Sequence, residues 1–144
     1  KHKKALEARH IAKKGCWYQT IDRVNPALLK KDKLYIPDIK EQLSPVLDRG
    51  ETYPHHNLYW ITSDTWDLEV LGGLLLSDIA NLFVSAYSVK MRGGYYRFQA
   101  QYLRKIRLPD PKNISSTNQK ALQDAFRKRD HKQASRVATD LYNI

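Results

Sequence analysis

The sequence has very little sulfur. Its single cysteine is Cys16, so no disulfide can form within the chain, and such sparse cysteine usage is typical of a reducing compartment. Its single methionine, Met91, is internal, and the sequence begins at Lys1. We therefore expect a cytoplasmic protein, and we expect the chain to be a piece of a longer one.

Long apolar runs are also missing. The first ten residues, KHKKALEARH, lack the apolar region of a secretory signal. The most apolar stretch, residues 68–87, contains Glu69, Asp78 and Asn81, which is typical of buried helices rather than of a membrane span. The sequence therefore predicts no membrane partner.

No motif that carries catalysis is found in the sequence. One cysteine and scattered histidines do not give the ligand spacing of a zinc site, and no phosphate-binding glycine motif occurs. Asp38 and Lys40 have the spacing of some nuclease sites, but Pro37 interrupts the strand that would carry them. We therefore predict that this chain alone has no catalytic residue, metal site or cofactor site.

Negative charge is missing from one long segment. Residues 88–109, SVKMRGGYYRFQAQYLRKIRLP, contain six Lys or Arg, four aromatic rings and no acidic residue. The whole chain has 25 Lys and Arg against 15 Asp and Glu, a formal net charge of +10. Such a surplus is typical of proteins that bind polyanions, although composition alone fits a generally basic surface equally well.

The residue types in this segment favour the binding interpretation. Cations neutralise phosphates, arginine can pair with two acceptors of guanine, and adjacent glycines allow positive φ and close backbone approach. Phe98, Tyr102 and Leu103 are expected in the core instead. Two adjacent histidines in a loop are expected to be structural or ligand-facing rather than metal ligands. The predicted nucleic-acid-binding residues are Lys90, Arg92, Gly93, Gly94, Tyr95, Tyr96, Arg97, His55 and His56.

Hydrophobic patterning predicts a single small α+β domain. Pro37 is expected to confine its strand to a sheet edge or to end it. A further basic run, residues 127–132, is interpreted as a solvated helix junction. The predicted strands are Cys16–Asp22, Lys33–Ile39 and Leu58–Thr62, and residues 44–57 between the last two are predicted to be mainly loop with a turn at Asp48–Gly50.

The predicted helices precede and follow these strands. Helix 3–14 should end at Gly15, and residues 65–86 should form two helices, broken at the pair Gly72–Gly73 and restarted by Ser77. A short helix is expected within 88–109. A capping box from Ser116 to Gln119 should start a helix that runs to about Arg127, and a last helix should span His131–Tyr142.

Five strings occur in order along the chain: CWYQTIDR, KLYIPDI, YPHHNLYWIT, LLLSDIANLF and KMRGGYYRFQAQYLRKIRLP. Over residues 16–109 they resemble the TaqI-like C-terminal specificity domain of adenine-N6 DNA methyltransferases from bacterial restriction–modification systems. The resemblance implies a target recognition domain that clasps duplex DNA and reads bases, largely in the major groove. A separate N-terminal domain, missing from this chain, would bind S-adenosylmethionine and methylate a flipped adenine.

The resemblance also implies a domain organisation. Residues 1–15 would be a helix leading in from the missing catalytic domain, 16–109 the target recognition domain and 110–144 a helical appendage. The recognised sequence, the base-contacting residues, any restriction activity of the parent protein and the oligomeric state stay open.

Two other classes stay open as well. One is a non-enzymatic module for RNA or single strands, which the lack of an RNA-recognition octapeptide and of a KH-type G-x-x-G loop disfavours. The other is an interaction domain whose basic surface meets an acidic protein.

Overall fold

The structure, a computed structural model, describes residues 2–18 and 24–144. Four short strands follow one another between the N-terminal and the central helices, a fifth lies between later helices, and all pair antiparallel, which confirms the predicted α+β class. The helices are α1 (Lys3–Glu7), α2 (Pro26–Leu29), α3 (Leu68–Leu75), α4 (Asp78–Ser85), α5 (Ala100–Leu103), α6 (Ser116–Lys128) and α7 (His131–Tyr142). The strands are β1 (Asp32–Pro37), β2 (Ile39–Lys40), β3 (Val46–Arg49), β4 (Leu58–Ile61) and β5 (Tyr96–Arg97).

Two small sheets are joined through β1 and β2. The first sheet has the order β3-β1-β4, and the second pairs β2 with β5. In the first sheet Leu34 lies between Leu47 and Ile61. Of the two effects expected of Pro37, the second is found: β1 ends at Pro37, and it is the central strand of its sheet rather than an edge. The predicted strand at 58–62 is confirmed as β4.

Residues 46–49 form strand β3, so the prediction that residues 44–57 are mainly loop is wrong at these positions. Strand β3 is held by a buried ion pair to β1, in which Lys33 Nζ lies 2.6 Å from Asp48 Oδ2. Lys33 also donates to the carbonyl oxygens of Leu29 and Lys31, at 3.3 and 2.8 Å. The turn expected at Asp48 does follow, because Gly50 has φ +76° and its N–H donates to the Asp48 carboxylate.

Helix α3 runs through Gly72–Gly73, so the predicted break at this pair is wrong. Both glycines are buried against α6: a Cβ on Gly73 would lie 2.4 Å from the Leu122 carbonyl oxygen, and one on Gly72 would lie 2.5 Å from the Phe126 ring. The pair therefore provides close helix packing. Helix α3 ends at Leu75, and only Leu76 separates it from Ser77. The prediction that Ser77 starts the second helix is confirmed, since its hydroxyl accepts from the Ala80 N–H at the start of α4.

The C-terminal helices pack on α3 and α4. The cap of α6 is Ser115, one residue before the predicted capping box, while α7 spans the predicted residues His131–Tyr142. Ala125 and Ala134 lie in the same buried cluster as Leu34 of the sheet. A division of the chain near residue 110 stays a prediction.

The N-terminal helix is shorter than predicted. After α1 the backbone is extended at Arg9, and a 3₁₀ helix covers His10–Lys14. The strand predicted over 16–22 is not formed at Cys16–Tyr18, and its remainder lies outside the described residues.

Within residues 2–18 and 24–144, no single helix is long and apolar enough to cross a membrane. Helices α3 and α4 pass such a test only as a pair, which is bent by 64°.

Candidate nucleic-acid interface

The segment at residues 88–97, here called the basic hairpin, follows α4, folds back on itself and ends with β5. The Met91 N–H donates to the Tyr95 carbonyl oxygen at 2.8 Å, and the Gly94 N–H donates to the Met91 carbonyl oxygen at 3.1 Å. At the open end, the Ser88 hydroxyl donates to the Arg97 carbonyl oxygen at 3.2 Å. Because β5 pairs with β2, one arm of the hairpin is anchored to the fold and its tip lies at the surface.

The two glycines make the tip of the basic hairpin possible. Gly93 has φ +90° and Gly94 has φ +89°, a region that residues with a Cβ rarely adopt. A Cβ added to Gly93 would lie 3.3 Å from the Tyr95 ring, and one added to Gly94 would lie 3.8 Å from Lys90 Cε. Apart from the adjacent residues, neither Cβ would meet a backbone atom within 4 Å. Backbone conformation, rather than lack of space, therefore requires glycine here.

Lys90 and Arg92 are exposed cations at this tip. Neither has an ion-pair partner among the residues that the structure describes. The Lys90 ammonium lies 5.6 Å from the centroid of the Tyr96 ring, a cation–π distance that restrains the side chain and leaves its charge unneutralised. These two side chains could hold phosphate oxygens without first giving up a carboxylate partner.

Arg97 differs from the other two cations. Its guanidinium pairs with Asp38, and the hydrogen bond that it donates to that carboxylate, followed by the negative charge of the carboxylate, raises the pKa of Arg97 above its usual value. The prediction that Arg97 binds DNA stays a prediction, and the segment itself has no acid, but in the fold the charge of Arg97 is compensated. The compensating acid lies outside the segment and was therefore missed.

Asp38 joins the basic hairpin to residues 55–57, here called the histidine turn. Its carbonyl oxygen accepts from the Phe98 N–H at 2.7 Å, and its own N–H donates to the Asn57 carbonyl oxygen at 3.1 Å. Adjacent to Asn57, the exposed rings of His55 and His56 have centroids 3.9 Å apart. The structure thus places the two predicted parts of the site on either side of Asp38, a residue that sequence analysis considered only as part of a nuclease motif.

A polar cleft extends the surface beyond the hairpin. It has a volume of about 350 Å³, and its lining includes Tyr95, Lys40 and His131. On β2, Lys40 lies opposite Tyr96 in the sheet register. Lys40 therefore adds a cation to the side of the hairpin. The ring of His131 is held by the main chain, since its Nδ1–H donates to the Leu76 carbonyl oxygen at 3.1 Å.

The aromatic residues divide between the core and the surface. Phe98 is buried and packs in the core, and Tyr102 and Leu103 pack against that core, as predicted. Tyr95 is exposed and Tyr96 is half-buried. Only part of the aromatic set is therefore available to a ligand.

The second basic run is more structural than predicted. Arg127 pairs with Glu69 at the start of α3, and Glu69 also lies 3.4 Å from Arg49. Arg129, which ends α6 with φ +57°, donates to the Pro45 carbonyl oxygen. Arg127 therefore ties α6 to α3, and Arg129 ties the end of α6 to the residue before β3.

Apolar side chains of the basic hairpin form a group that sequence analysis did not single out. Val89 is 79% exposed and Met91 is 40% exposed, and Tyr87 just before the hairpin is 56% exposed. The Lys105 ammonium lies 5.6 Å from the Tyr87 ring centroid. No pattern in the sequence distinguishes these residues from core residues, because their exposure depends on where α4 ends.

Comparison with known proteins gives one family. A family described as the TaqI-like C-terminal specificity domain matches residues 3–108. The chain is 50% identical over 145 residues to the Type II methyltransferase M.XhoI of Xanthomonas vasicola, covering 99% of this chain and 27% of that protein. It is 49% identical over 141 residues to the Type II methyltransferase M.PaeR7I of Pseudomonas aeruginosa, covering 96% and 25%.

A third relative, the Type II methyltransferase M.BstVI of Geobacillus stearothermophilus, is 39% identical over 145 residues, which is 99% of this chain and 26% of that protein. The chain thus spans about a quarter of the length of the curated relatives it matches.

Proposed function

Because the chain belongs to the family of TaqI-like C-terminal specificity domains, we propose that it reads double-stranded DNA as the target recognition domain of an adenine-N6 DNA methyltransferase of a restriction–modification system. The observation that carries the DNA-binding part is the tip of the basic hairpin, where Lys90 and Arg92 are exposed beside two glycines of positive φ. The cytoplasm, where such DNA lies, is the compartment we propose.

The hairpin supports binding to phosphates first. Unneutralised cations on an exposed turn release counterions when they meet a DNA backbone, which provides affinity without sequence information. Lys40 extends the same surface, and the histidine turn is linked to the hairpin through Asp38. To read bases, the tip of the hairpin must then enter a groove of the DNA. The major groove is wide enough for a two-stranded ribbon.

Catalysis belongs, in this proposal, to a part of the parent protein outside this chain. S-adenosylmethionine would bind there, and the parent protein would transfer its methyl group to an adenine that is flipped out of the duplex. Titration calorimetry of this chain with S-adenosylmethionine is expected to show no binding. Micromolar binding would contradict this division of labour.

A single-strand-binding module is the rival function, and one observation favours it. Tyr87 and Tyr95 are 56% and 41% exposed, and exposed rings can stack on unpaired bases. Against this, both rings flank a turn stiffened by internal hydrogen bonds, instead of lying together on an open sheet face.

Competition separates these functions. A duplex sequence is first selected with this chain from a library of random double-stranded DNA, and fluorescence anisotropy then measures its displacement. We expect an unlabelled copy of the selected duplex to compete better than scrambled duplex, single-stranded DNA, single-stranded RNA or heparin. Stronger competition by single strands would favour the rival module, and equal competition by all polyanions would indicate a generally basic surface.

A further inference from the structure

We propose that the exposed apolar side chains of the basic hairpin, Val89 and Met91, contact thymine methyl groups in the major groove. This inference rests on the proposed function and deepens it, because it assigns base contact to apolar residues and backbone contact to the neighbouring cations. It concerns residues that were not among the predicted binding residues.

The first observation is the exposure of these side chains. Val89 is the most exposed large apolar side chain among the described residues, at 79%, and Met91 is 40% exposed two positions later. Groups of apolar side chains left in water usually mark a binding surface. Here the group lies in a segment whose charged residues are all basic.

The second observation is how cations and apolar residues alternate. Lys90 lies between Val89 and Met91, and Arg92 follows directly. Since neither cation has an ion-pair partner among the described residues, this surface fits a partner that is strongly anionic and also has apolar groups. Duplex DNA has both, with phosphates along the backbone and methyl groups on its thymines.

The third observation is the shape of the element. The hydrogen bonds from Met91 to Tyr95 and from Ser88 to Arg97 hold the two arms of the hairpin together as a ribbon. A two-stranded ribbon fits the major groove, about 12 Å wide, but not the minor groove, about 6 Å wide. On the base edges of the major groove, the C5 methyl of thymine is the apolar group that such side chains can contact.

The test uses this chain and the duplex selected with it, with each thymine replaced in turn by deoxyuridine, which lacks the methyl group. At one or two positions we expect the replacement to weaken binding by the wild type about three- to tenfold, the range for burial of about one methyl group. Anisotropy at low salt measures the affinities, and the melting temperature of each variant reports whether it is folded.

Two near-isosteric variants complete the cycle, Val89→Thr and Met91→Gln. Each should weaken binding to the thymine duplex by a similar factor, and at least one should lose nothing further on the deoxyuridine duplex. The matched control is Val24→Thr, since Val24 is also exposed, at 56%, but precedes α2 rather than lying in the hairpin. The control should keep both the affinity and the full deoxyuridine effect.

The results that would overturn the methyl contact differ from the result that would overturn the proposed function. Equal binding of thymine and deoxyuridine duplexes by the wild type would overturn this inference and leave duplex recognition intact. Equal losses by the hairpin variants on both duplexes would also overturn it, because the side chains would then contact something other than a methyl group. Failure of the wild type to prefer any duplex would overturn the proposed function itself.

Discussion

At the scale of the residue, the residues that face an arginine decide whether its charge is free to bind a ligand. Arg92 lies at the hairpin tip without an ion-pair partner among the described residues, whereas Arg97, five positions later, is paired with Asp38. A cation that is already paired must share or lose that partner when it binds a phosphate. Arg92 is therefore the better residue with which to test phosphate contact.

Arg92→Ala should weaken binding to the selected duplex and to a scrambled duplex by similar factors, because phosphates are common to both. The slope of log K against log [salt] should become less steep by about one unit. A loss of about 1–3 kcal/mol confined to the selected duplex would show instead that Arg92 reads a guanine.

Lys33 and Asp48 illustrate the opposite case, an ion pair inside the protein. Burial by itself would raise the pKa of the Asp48 carboxyl, but hydrogen bonds from Lys33 and Thr52, together with the charge of Lys33, lower it from 3.8 to about 2. A carboxyl with a depressed pKa stabilises the fold fully above its ordinary pKa, and this contribution is lost as the pH falls towards the lowered value.

The free energy of unfolding should therefore fall between pH 4 and pH 2 in the wild type. Asp48→Asn should lower it by about 3–5 kcal/mol at pH 7, since Lys33 is left buried without its carboxylate, and should flatten the dependence on pH. The matched control is Asp32→Asn on the neighbouring strand β1, whose pair with Arg49 is exposed and should contribute less than about 1 kcal/mol. Equal effects of the two variants in urea denaturation would contradict this account.

At the scale of the element, the two glycine pairs serve different purposes. Gly72–Gly73 lies in a helix that needs close packing, and Gly93–Gly94 lies in a turn that needs positive φ. The low helix propensity of glycine predicts a helix break at the first pair. Packing against Leu122 and Phe126 of α6, about fifty residues away, outweighs that propensity and cannot be read from local sequence.

Gly73→Ala should destabilise the fold by roughly 2–3 kcal/mol, because the new methyl group would overlap the Leu122 carbonyl oxygen, which cannot move without moving α6. Thermal denaturation measures this. Gly94→Ala is the matched control: open space surrounds the new methyl group and the exposed tip can rearrange to relieve the strain of positive φ, so it should cost less than about 1 kcal/mol. Equal stability of the two variants would show that α3 and α6 do not pack as described.

Gly94→Val should weaken duplex binding while changing the melting temperature little. The strain at φ +89° can be relieved by local rearrangement of an exposed tip, which alters the ligand surface but not the core. Gly94→Asn should retain more of the binding, because asparagine tolerates positive φ better than valine does. A large drop in melting temperature for Gly94→Val would show that the hairpin belongs to the core.

Local signals predicted other elements well. Strand β4 and helix α7 were predicted because their patterns are strong and their ends carry clear signals. The cap of α6 was displaced by one residue, because Ser115 and Ser116 are adjacent and chemically equivalent. Strand β3 was missed, since its pairing with β1 and the buried charge of Asp48 are properties of the tertiary structure.

At the scale of the whole molecule, the candidate site could be predicted only in part. The cations, glycines and histidines stood out by residue type, but their arrangement around Asp38 depends on contacts between residues up to 60 positions apart, such as Asp38 with Phe98. The family strings identified the scaffold, which matches at residues 3–108. The exposed apolar group at Val89 and Met91 became visible only in three dimensions.

The chain spans about a quarter of its relatives' length, which affects how it should bind. If the rest of the parent protein supplies the other side of a clamp, this domain alone has fewer contacts and should bind duplex DNA weakly. Phosphate contacts should then dominate what affinity is left.

The salt dependence of duplex binding by this chain tests the central claim most directly. With three or more phosphate contacts made by the basic hairpin and its neighbours, the slope of log K against log [salt] should be about −3 or steeper. Anisotropy titrations of the selected duplex over a range of salt concentrations provide this slope. A slope near zero would contradict the account, because a domain whose unneutralised cations hold phosphates cannot bind duplex DNA independently of salt.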